Sequence, residues 1–516
     1  MTPQSSSTTG PRLLVGAALV LCALPFYVSV VPPMTDVSQH VLVARILSAY
    51  GDPAFHFPDY FGIEWHMSPG ALCYVLLAGL QKLATPFGAA RAYLTLFVVA
   101  TYAAIWSLAK VTGHAEPRVP ALVSLPLAFC WYVYMGLLPF LMTIPLFALA
   151  MAVWFGAWRA RFKVPTLWVL LAALFGLHVV GAAAAAAAIA VAASSEFVMR
   201  RRDARRLLWA GLSVAPVPLL VGVYVLGKNA PAPKPQYAGL VSNAVDVIRY
   251  TCTSLDDRAS VLMLLWLGFL GVVLIVRRRA LVAQLPAVLA AATLVVLAVV
   301  IPSNLGSLWP AGPRLFPFAL VLLIVSVPWT RFARWALPGM GLALLGGLCA
   351  FTVQHAMALD GPFRDFLGPA SSVQQGKRVL PILADPHEGS RWVDPFWSLA
   401  SAYTVMRGGS NPYVFATPYV KTGASPLRYL SPETDLRYAF LYDRNRGPED
   451  YRGVSAVYDY VLLWGDSPAI AEVLGAEMTV VRRQGKATLF ARTERSRHDR
   501  AADPPSGRTS VTMGAQ

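Results

Sequence analysis

The sequence predicts a polytopic α-helical membrane protein with about eleven transmembrane helices and a small C-terminal α/β domain outside the membrane. Composition is the first reason. Of the 516 residues, 56% are apolar and only 14% are charged, and the mean hydropathy is +0.54. The second reason is that the apolar residues form long runs separated by short basic clusters. Beyond about residue 356 the apolar content falls and β-type runs begin, which indicates a separate domain.

The net charge of +16 would suggest nucleic acid as a partner if the protein were soluble. Here the Lys and Arg residues stand between apolar runs, where they set the orientation of spans. The sequence therefore predicts membrane lipids as surroundings and no nucleic-acid partner.

The first span is predicted over about residues 13–31, after a cytoplasmic N-terminus of residues 1–12. This run is too long for the apolar core of a signal peptide, and the Pro-Pro-Met that follows lacks a small-residue cleavage pattern. The next apolar piece, from Pro69 to Leu83, is only ~15 residues long, which is short of the ~20 needed to cross. We expect it to lie at the interface or to enter halfway.

Treating that piece as non-crossing leaves ten further spans, which complete a transmembrane domain over residues 13–355. They are predicted at about 89–109, 119–134, 138–157, 165–180, 182–199, 207–227, 261–276, 284–301, 314–330 and 335–355. The basic clusters then all fall on the side of the N-terminus, as the positive-inside rule requires. These clusters are Lys110 with Arg118, Arg159–Lys163, Arg200–Arg206, Arg277–Arg279 and Arg331 with Arg334. The alternative is that Gly181–Ala193 merges with the preceding run into one long helix.

The external side then holds a first loop of residues 33–67 and a C-terminal domain of residues 356–492. Strand-like runs occur at Arg378–Leu383, Tyr458–Trp464 and Glu477–Phe490, with a helical pattern at Ser467–Leu474. This order predicts a small α/β domain. The tail of residues 493–516 contains almost nothing apolar and is predicted to be disordered.

Asp36 and His40 follow directly on the first span, where the membrane ends. A carboxylate at that depth is costly unless it faces a cavity or has a partner, so an ionisable residue there is a functional hypothesis. The alternative is structural: Asp36 could cap a helix from Val37 to about Tyr50. Both interpretations are open from the motif alone.

The first loop is also unusually rich in acids and imidazoles for so apolar a chain. A divalent metal held by Asp36, Glu64 and His66 with waters is one hypothesis, although no spacing matches a closed metal motif. Solvated loop charge is the alternative, above all for Asp52 and His56.

Further candidates lie near the predicted outer boundary. His178 ends one predicted helix and Arg314 begins another. A guanidinium beside an external acid would suit a phosphate, whereas a packed histidine and a snorkelling arginine are the structural alternative. The proline-stiffened loop adds Lys228, Lys234 and Tyr237, which would contact either an anionic headgroup or the lipid surface.

At this point the chain resembles the GT-C superfamily of polyprenyl-phosphate-sugar-dependent glycosyltransferases, in a bacterial and uncharacterised branch. The resemblance covers about two thirds of the chain and is carried by its architecture and by four local features. These are Thr35–His40 after the first span, Tyr134–Phe140 opening a span, Leu177-His178 near a span end, and Pro313–Pro317. An interfacial helix opened by Trp65–Pro69 adds to the likeness.

The resemblance implies transfer of a hexose or pentose from a polyprenyl-phosphate carrier to a lipid, glycan or protein acceptor at the external face of a bacterial plasma membrane. Asp36 with His40 would be catalytic, Asp36 as the general base. Glu64, His66, His178, Lys228, Lys234, Tyr237 and Arg314 would bind substrate, and Mg²⁺ or Mn²⁺ is the metal that such a site would take. Many members carry two adjacent acids in this loop, whereas here Val37 follows Asp36.

Two other functions remain open at this stage: a transporter or flippase of lipid-linked or small solutes, and a non-catalytic assembly protein. A transporter should show paired broken helices with charge at mid-membrane. Here the predicted spans are nearly free of charge and the acids cluster at one face, which favours chemistry at the boundary.

Overall fold

The computed structural model describes residues 9–65, 68–199, 204–226, 234–305, 308–329, 331–385, 393–416, 425–438 and 447–493. His66, Lys228, residues 200–203 of one basic cluster and residues 494–516 of the predicted tail lie outside these ranges. Helices dominate the described part, and a small sheet lies near its C-terminal end.

Eight helices in these ranges are long and apolar enough to cross a membrane. They are Pro86–Val111, Leu138–Phe155, Ala160–Leu177, Val179–Met199, Ala204–Leu226, Asp257–Val276, Ala280–Val300 and Gly341–Ser372. Shorter apolar helices are Arg12–Phe26, Ala71–Leu80, Arg118–Phe129 and Gly312–Ser326. The eight long helices and all the shorter ones but Ala71–Leu80 match the eleven predicted spans in order, so the predicted fold class is confirmed.

The helix Ala71–Leu80 corresponds to the apolar piece that the sequence leaves short of a crossing. Its ten residues rise ~15 Å, about half the thickness of the hydrocarbon core. It packs on the helix Val37–Ser48, where Gln81 Nε2 donates to the Val41 carbonyl at 3.0 Å.

The Ala-rich helix does not merge with the segment before it. His178 adopts an extended conformation (φ −167°, ψ 127°) between Ala160–Leu177 and Val179–Met199. Small residues let the second helix approach its neighbour closely: a Cβ on Gly181 would lie 2.6 Å from the Cβ of Thr143. The break turns the His178 side chain away from a regular helical position, and its ring lies beside Arg314.

The C-terminal region holds a four-stranded sheet. Its strands are β2 (Val379–Leu383), β4 (Tyr460–Trp464), β5 (Met478–Gln484) and β6 (Ala487–Arg492), in the order β2-β4-β6-β5. The first pair is parallel and the others antiparallel. The helix Pro468–Glu477 packs on β5. The run predicted as one strand over Glu477–Phe490 is a hairpin that turns at Gly485, where φ is +50°.

A second sheet joins the first loop to the C-terminal region. Strand β1 (Phe61–Ile63) pairs antiparallel with β3 (Leu427–Tyr429). Nearby, Gly409 N–H donates to the Phe55 carbonyl at 2.8 Å. The last long helix, Arg331–Leu367, continues beyond residue 356; the predicted division between domains stays a prediction.

The remaining helices connect these parts and are too short to cross a membrane. They are Phe57–Tyr60, Trp131–Tyr134, Leu240–Cys252, Phe396–Leu399, Ala402–Arg407 and Pro432–Leu436. The side on which the loops lie relative to the membrane stays a prediction from the basic clusters.

Candidate active site

A cavity of about 540 Å³ opens where the first loop, the ends of several apolar helices and the C-terminal region meet. Four of the candidate residues line it: Asp36, His40, His178 and Arg314. Aromatic side chains supply much of the remaining wall, among them Trp131 and Trp309. The cavity is therefore an apolar pocket with few polar groups, which is typical of a small-molecule site.

Asp36 stands at the N-cap position of the helix Val37–Ser48, but its side chain makes no capping hydrogen bond. Within the described ranges its carboxylate has no hydrogen-bond partner at all. Burial raises the pKa of Asp36 to about 7, although the charge of Arg314 acts in the opposite direction. Capping therefore does not account for this carboxylate, which faces the cavity with a pKa suited to proton transfer.

The backbone around Asp36 is held by the segment Tyr134–Gly136. Thr35 N–H donates to the Tyr134 carbonyl and Asp36 N–H donates to the Met135 carbonyl, each at 2.9 Å. Gly136 has a φ of +78°, and a Cβ there would lie 2.9 Å from the Val37 nitrogen. Only glycine fits this turn without moving the loop. Two of the sequence features behind the GT-C resemblance, Thr35–His40 and Tyr134–Phe140, therefore contact each other through these backbone bonds.

Arg314 is 6% exposed and its guanidinium is held from two sides. Nη1 donates to His178 Nε2 at 2.7 Å and Nη2 donates to the Trp309 carbonyl at 2.6 Å. The guanidinium also lies over the Phe140 ring, 5.6 Å from its centroid. The Nε atom is buried without a hydrogen-bond partner. A desolvated cation with an unused donor is suited to an anion.

His178 serves as the acceptor that orients this guanidinium. Arginine can only donate, so the His178 ring must be neutral at Nε2 to accept the bond. Burial lowers the pKa of His178 well below its usual value, and the charge of Arg314 lowers it further. The extended backbone at His178 is what points the ring toward Arg314.

His40 lies one helical turn after Asp36 and lines the same cavity. Its Nδ1 lies 3.2 Å from the Tyr74 hydroxyl. Burial lowers the pKa of His40 to about 3, so the ring is neutral at physiological pH. A neutral imidazole can orient or hydrogen-bond a substrate but does not supply positive charge.

The other predicted substrate-binding residues that the structure describes do not line the cavity. Glu64 forms an ion pair with Arg428 (2.6 Å between Oε1 and Nε), with both side chains half exposed. Lys234 and Tyr237 are exposed, and His66 and Lys228 fall outside the described residues. The roles predicted for these five residues stay predictions.

The described residues hold no cluster of three or more His, Cys, Asp or Glu side chains that could bind a metal ion. Of the predicted ligand set, Asp36 lines the cavity while Glu64 is occupied by Arg428. The described donors thus do not fit a Mg²⁺ or Mn²⁺ site of the predicted composition.

Sequence reasoning missed the contribution of the C-terminal region to the cavity. Phe415 and Ser425 both line it, and Tyr74 does so from the short helix Ala71–Leu80. Phe415 packs edge-on against the His40 ring, with centroids 5.2 Å apart. No local sequence signal marks Phe415 and Ser425, since they come from the C-terminal region that the β1–β3 pairing joins to the first loop.

Comparison with solved structures identifies the fold. ArnT from Cupriavidus metallidurans bound to undecaprenyl phosphate superposes with a TM-score of 0.59 over 95% of this chain and 99% of that one, at 12% sequence identity. Its apo state gives a TM-score of 0.57 over 93% and 97%, at 11% identity. The chain has the ArnT fold. The architecture that the sequence resemblance predicts is thereby confirmed as a likeness of fold to ArnT.

The likeness to ArnT extends over nearly the whole of both chains, so it includes the C-terminal region that the sequence resemblance left uncovered. No family model and no curated protein matches the sequence. At this level of identity the ArnT-like fold alone is shared, and function must be argued from the cavity.

Proposed function

We propose that this protein is a membrane glycosyltransferase that moves a sugar from a polyprenyl-phosphate carrier to an acceptor. The observation that carries the proposal is that one cavity contains the Asp36 carboxylate, which has no hydrogen-bond partner among the described residues, and the buried Arg314 guanidinium, whose Nε has none either. These are the two groups that a transfer from a phosphate-linked sugar needs. The ArnT fold supports the proposal, because a solved ArnT structure holds undecaprenyl phosphate.

In this reaction the acceptor hydroxyl attacks the anomeric carbon while the bond from that carbon to the phosphate oxygen breaks. Asp36 accepts the hydroxyl proton, and the electron pair of the broken bond leaves on the lipid phosphate. A positioned base typically contributes roughly 10²–10⁴-fold to such a step. With a pKa of about 7, Asp36 is ionised in a large fraction of molecules near neutral pH and still basic enough to take the proton.

Arg314 stabilises the negative charge that develops on the leaving phosphate. Two of its donors are used by His178 and Trp309, which fixes the plane of the guanidinium before substrate arrives. A preorganised donor in a water-poor site stabilises charge more strongly than the same group in water. His40 has no charge to contribute, and we assign it to orienting the substrate beside Asp36.

The polyprenyl tail would lie along the apolar helices while the phosphate enters the cavity. We infer that the cavity faces the outside of a bacterial plasma membrane, with the C-terminal region on the same side; the positive-inside interpretation of the basic clusters supports the orientation, and the GT-C resemblance supports the membrane. The acceptor is a lipid, glycan or protein that reaches the cavity from that face. The substrate-binding roles predicted for Glu64, His66, Lys228, Lys234 and Tyr237 remain part of this proposal.

The test uses full-length protein purified into lipid and a panel of polyprenyl-phosphate sugars carrying labelled hexoses or pentoses. Asp36→Asn is compared with wild type and with Asp52→Asn. Asp52 is an exposed loop acid whose turn contact to the Ala54 N–H an asparagine can retain. We expect Asp36→Asn to lose transfer by two orders of magnitude or more while it still binds donor, and Asp52→Asn to match wild type.

An equal loss of transfer in Asp36→Asn and Asp52→Asn would show that the loss is not specific to Asp36, which would remove Asp36 from the mechanism. Donor binding by wild type without transfer to any acceptor, together with movement of the lipid between leaflets, would replace the transferase with a transporter of lipid-linked solutes. A folded protein that binds no donor across the panel would end both interpretations.

A further inference from the structure

The cavity has two groups of polar residues of different character, and the proposed reaction assigns stabilisation of charge to only one of them. Arg314 and His178 form the cationic group. His40, Tyr74, Phe415 and Ser425 line the same cavity, and His40 packs against both Tyr74 and Phe415; we call these four residues the His40 wall. Asp36 interacts electrostatically with Arg314 and also with Tyr74, so the carboxylate lies near both groups.

The His40 wall combines aromatic faces with neutral hydrogen-bonding groups. The His40 ring packs against Phe415 at 5.2 Å and against Tyr74 at 5.7 Å between centroids. The Tyr74 hydroxyl and His40 Nδ1 share one bond, which leaves the second ring nitrogen of His40 for another partner. Ser425 is 2% exposed, and its oxygen accepts from Leu427 N–H while its own proton remains for donation.

The part of the wall that comes from the C-terminal region is held in place by backbone contacts. The Tyr429 hydroxyl donates to the Asn411 carbonyl at 2.8 Å and accepts from Val414 N–H at 3.1 Å. Tyr429 itself belongs to β3, which pairs with β1 in the first loop. Phe415 and Asp36 are therefore positioned by one connected structure, as a binding subsite requires.

We propose that the His40 wall is a subsite for an uncharged sugar ring, and that the C-terminal region takes part in sugar recognition through Phe415 and Ser425. A sugar has an apolar face of C–H groups that packs on aromatic rings and hydroxyls that bond to neutral donors and acceptors. The described residues of the wall carry no formal charge, so a charged group that packs on them out of reach of Asp36 would be desolvated there without a partner. This inference rests on the proposed function.

The ring bound at the wall comes from one of two sources: the sugar of the donor or a sugar of a glycan acceptor. The experiment separates them by measuring three quantities in full-length protein in lipid. These are the Kd of undecaprenyl phosphate without sugar, the Kd of its glucosyl, mannosyl and galactosyl esters, and the KM of a glycan acceptor. An ester with a cationic amino sugar provides the charged comparison.

The variants are Phe415→Leu, which keeps apolar volume without the aromatic face, and Ser425→Ala, which removes the hydroxyl. Leu305→Ala is the control, because Leu305 lines the cavity but is not one of the four residues of the wall. For donor recognition we expect each wall variant to weaken the best uncharged ester by about three- to tenfold. The Kd of the sugar-free lipid should stay within about twofold of the wild-type value in these variants. Leu305→Ala should instead change the Kd of both lipids in the same proportion.

A rise in the acceptor KM with both lipid affinities unchanged would assign the same subsite to the acceptor sugar. The inference is overturned if the wall variants weaken the binding of the sugar-free lipid and of the sugar esters equally, or if they change none of the three quantities. It is also overturned if wild type binds the cationic ester more tightly than the uncharged esters. Failure of wild type to bind sugar-free undecaprenyl phosphate would instead contradict the proposed function itself.

Discussion

The backbone N–H of Asp36 donates to the Met135 carbonyl at 2.9 Å, across a turn that Gly136 makes with a φ of +78°. This bond fixes the entry of the helix Val37–Ser48 without using the Asp36 side chain. The carboxylate is consequently left to the cavity. Tyr132 lies just before this turn, and its hydroxyl donates to the Pro313 carbonyl at 2.8 Å. The stretch from Tyr132 to Gly136 therefore connects the candidate base to the residue that precedes Arg314.

Substituting Gly136→Ala should displace Asp36. The new Cβ would lie 2.9 Å from the Val37 nitrogen and 3.0 Å from the Asp36 nitrogen, and alanine also disfavours the positive φ. We expect a loss of stability of about 2 kcal/mol or more and a fall in kcat of about 10²-fold per folded molecule, because small displacements of a base are costly. Thermal unfolding and single-turnover transfer measure the two effects.

Gly113→Ala is the matched control for that substitution. Gly113 has a φ of +88°, but a Cβ there would meet no atom within 4 Å. Its cost should be limited to backbone strain of ~1–2 kcal/mol, with transfer per folded molecule unchanged. If Gly113→Ala and Gly136→Ala lowered transfer equally, the contact with Asp36 would not be the cause.

The pH dependence of transfer should report the ionisation of Asp36. A general base must be deprotonated, so kcat/KM should rise with pH and level off above the pKa of about 7 that burial gives this carboxylate. The measurement is the pH profile of transfer between about pH 5 and 9, with donor binding followed in parallel. A profile that is flat through neutral pH would show that Asp36 is not the group that limits the reaction.

The spans could be predicted because membrane crossing leaves a local signal in the sequence. Apolar runs and basic clusters define the helices. The extended backbone of His178 separates Ala160–Leu177 from Val179–Met199, which the Ala-rich run could have joined into one helix. Four cavity side chains were predictable for the same reason: Asp36, His40, His178 and Arg314. Each stands at the end of an apolar run, and such ends meet at one membrane boundary.

Contacts between distant segments leave no such signal. The density of acids in the first loop favoured a site that included Glu64, whereas Glu64 is paired with Arg428 beside the β1–β3 ladder. Phe415 reaches the cavity through the same ladder. A pairing register between two short strands is set by tertiary packing rather than by either strand alone. The sequence therefore predicts the candidate base Asp36 but not the residues that the C-terminal region adds to the His40 wall.

Arg314→Lys should weaken the binding of lipid phosphate. Lysine keeps the charge but cannot donate to His178 Nε2 and the Trp309 carbonyl in the planar geometry that orients the guanidinium. We expect the Kd of undecaprenyl phosphate to rise about tenfold or more. Arg428→Lys is the control, since its exposed pair with Glu64 contributes little. Equal affinities in the two variants would contradict the assignment of Arg314 to the phosphate.

Asp36→Asn should make the protein more stable at alkaline pH while it removes transfer. Burial raises the folded-state pKa of Asp36 to about 7, above the value of ~3.9 expected in the unfolded chain. The folded state therefore binds the proton more tightly, and wild type loses stability as pH rises from about 4 to 7. Above pH 7 the loss is complete, and asparagine, which never ionises, avoids it.

The gain at pH 8 should be on the order of 2 kcal/mol, less than the full shift implies because the side chain keeps contact with the cavity. At pH 4 the two proteins should unfold at nearly the same temperature. Thermal unfolding in lipid or detergent at both pH values measures the difference, with Asp52→Asn as the control that shows no pH-dependent gain. A variant that is less stable than wild type at pH 8 would mean that the carboxylate supports the fold rather than the reaction, since residues selected for chemistry are commonly held at a cost in stability.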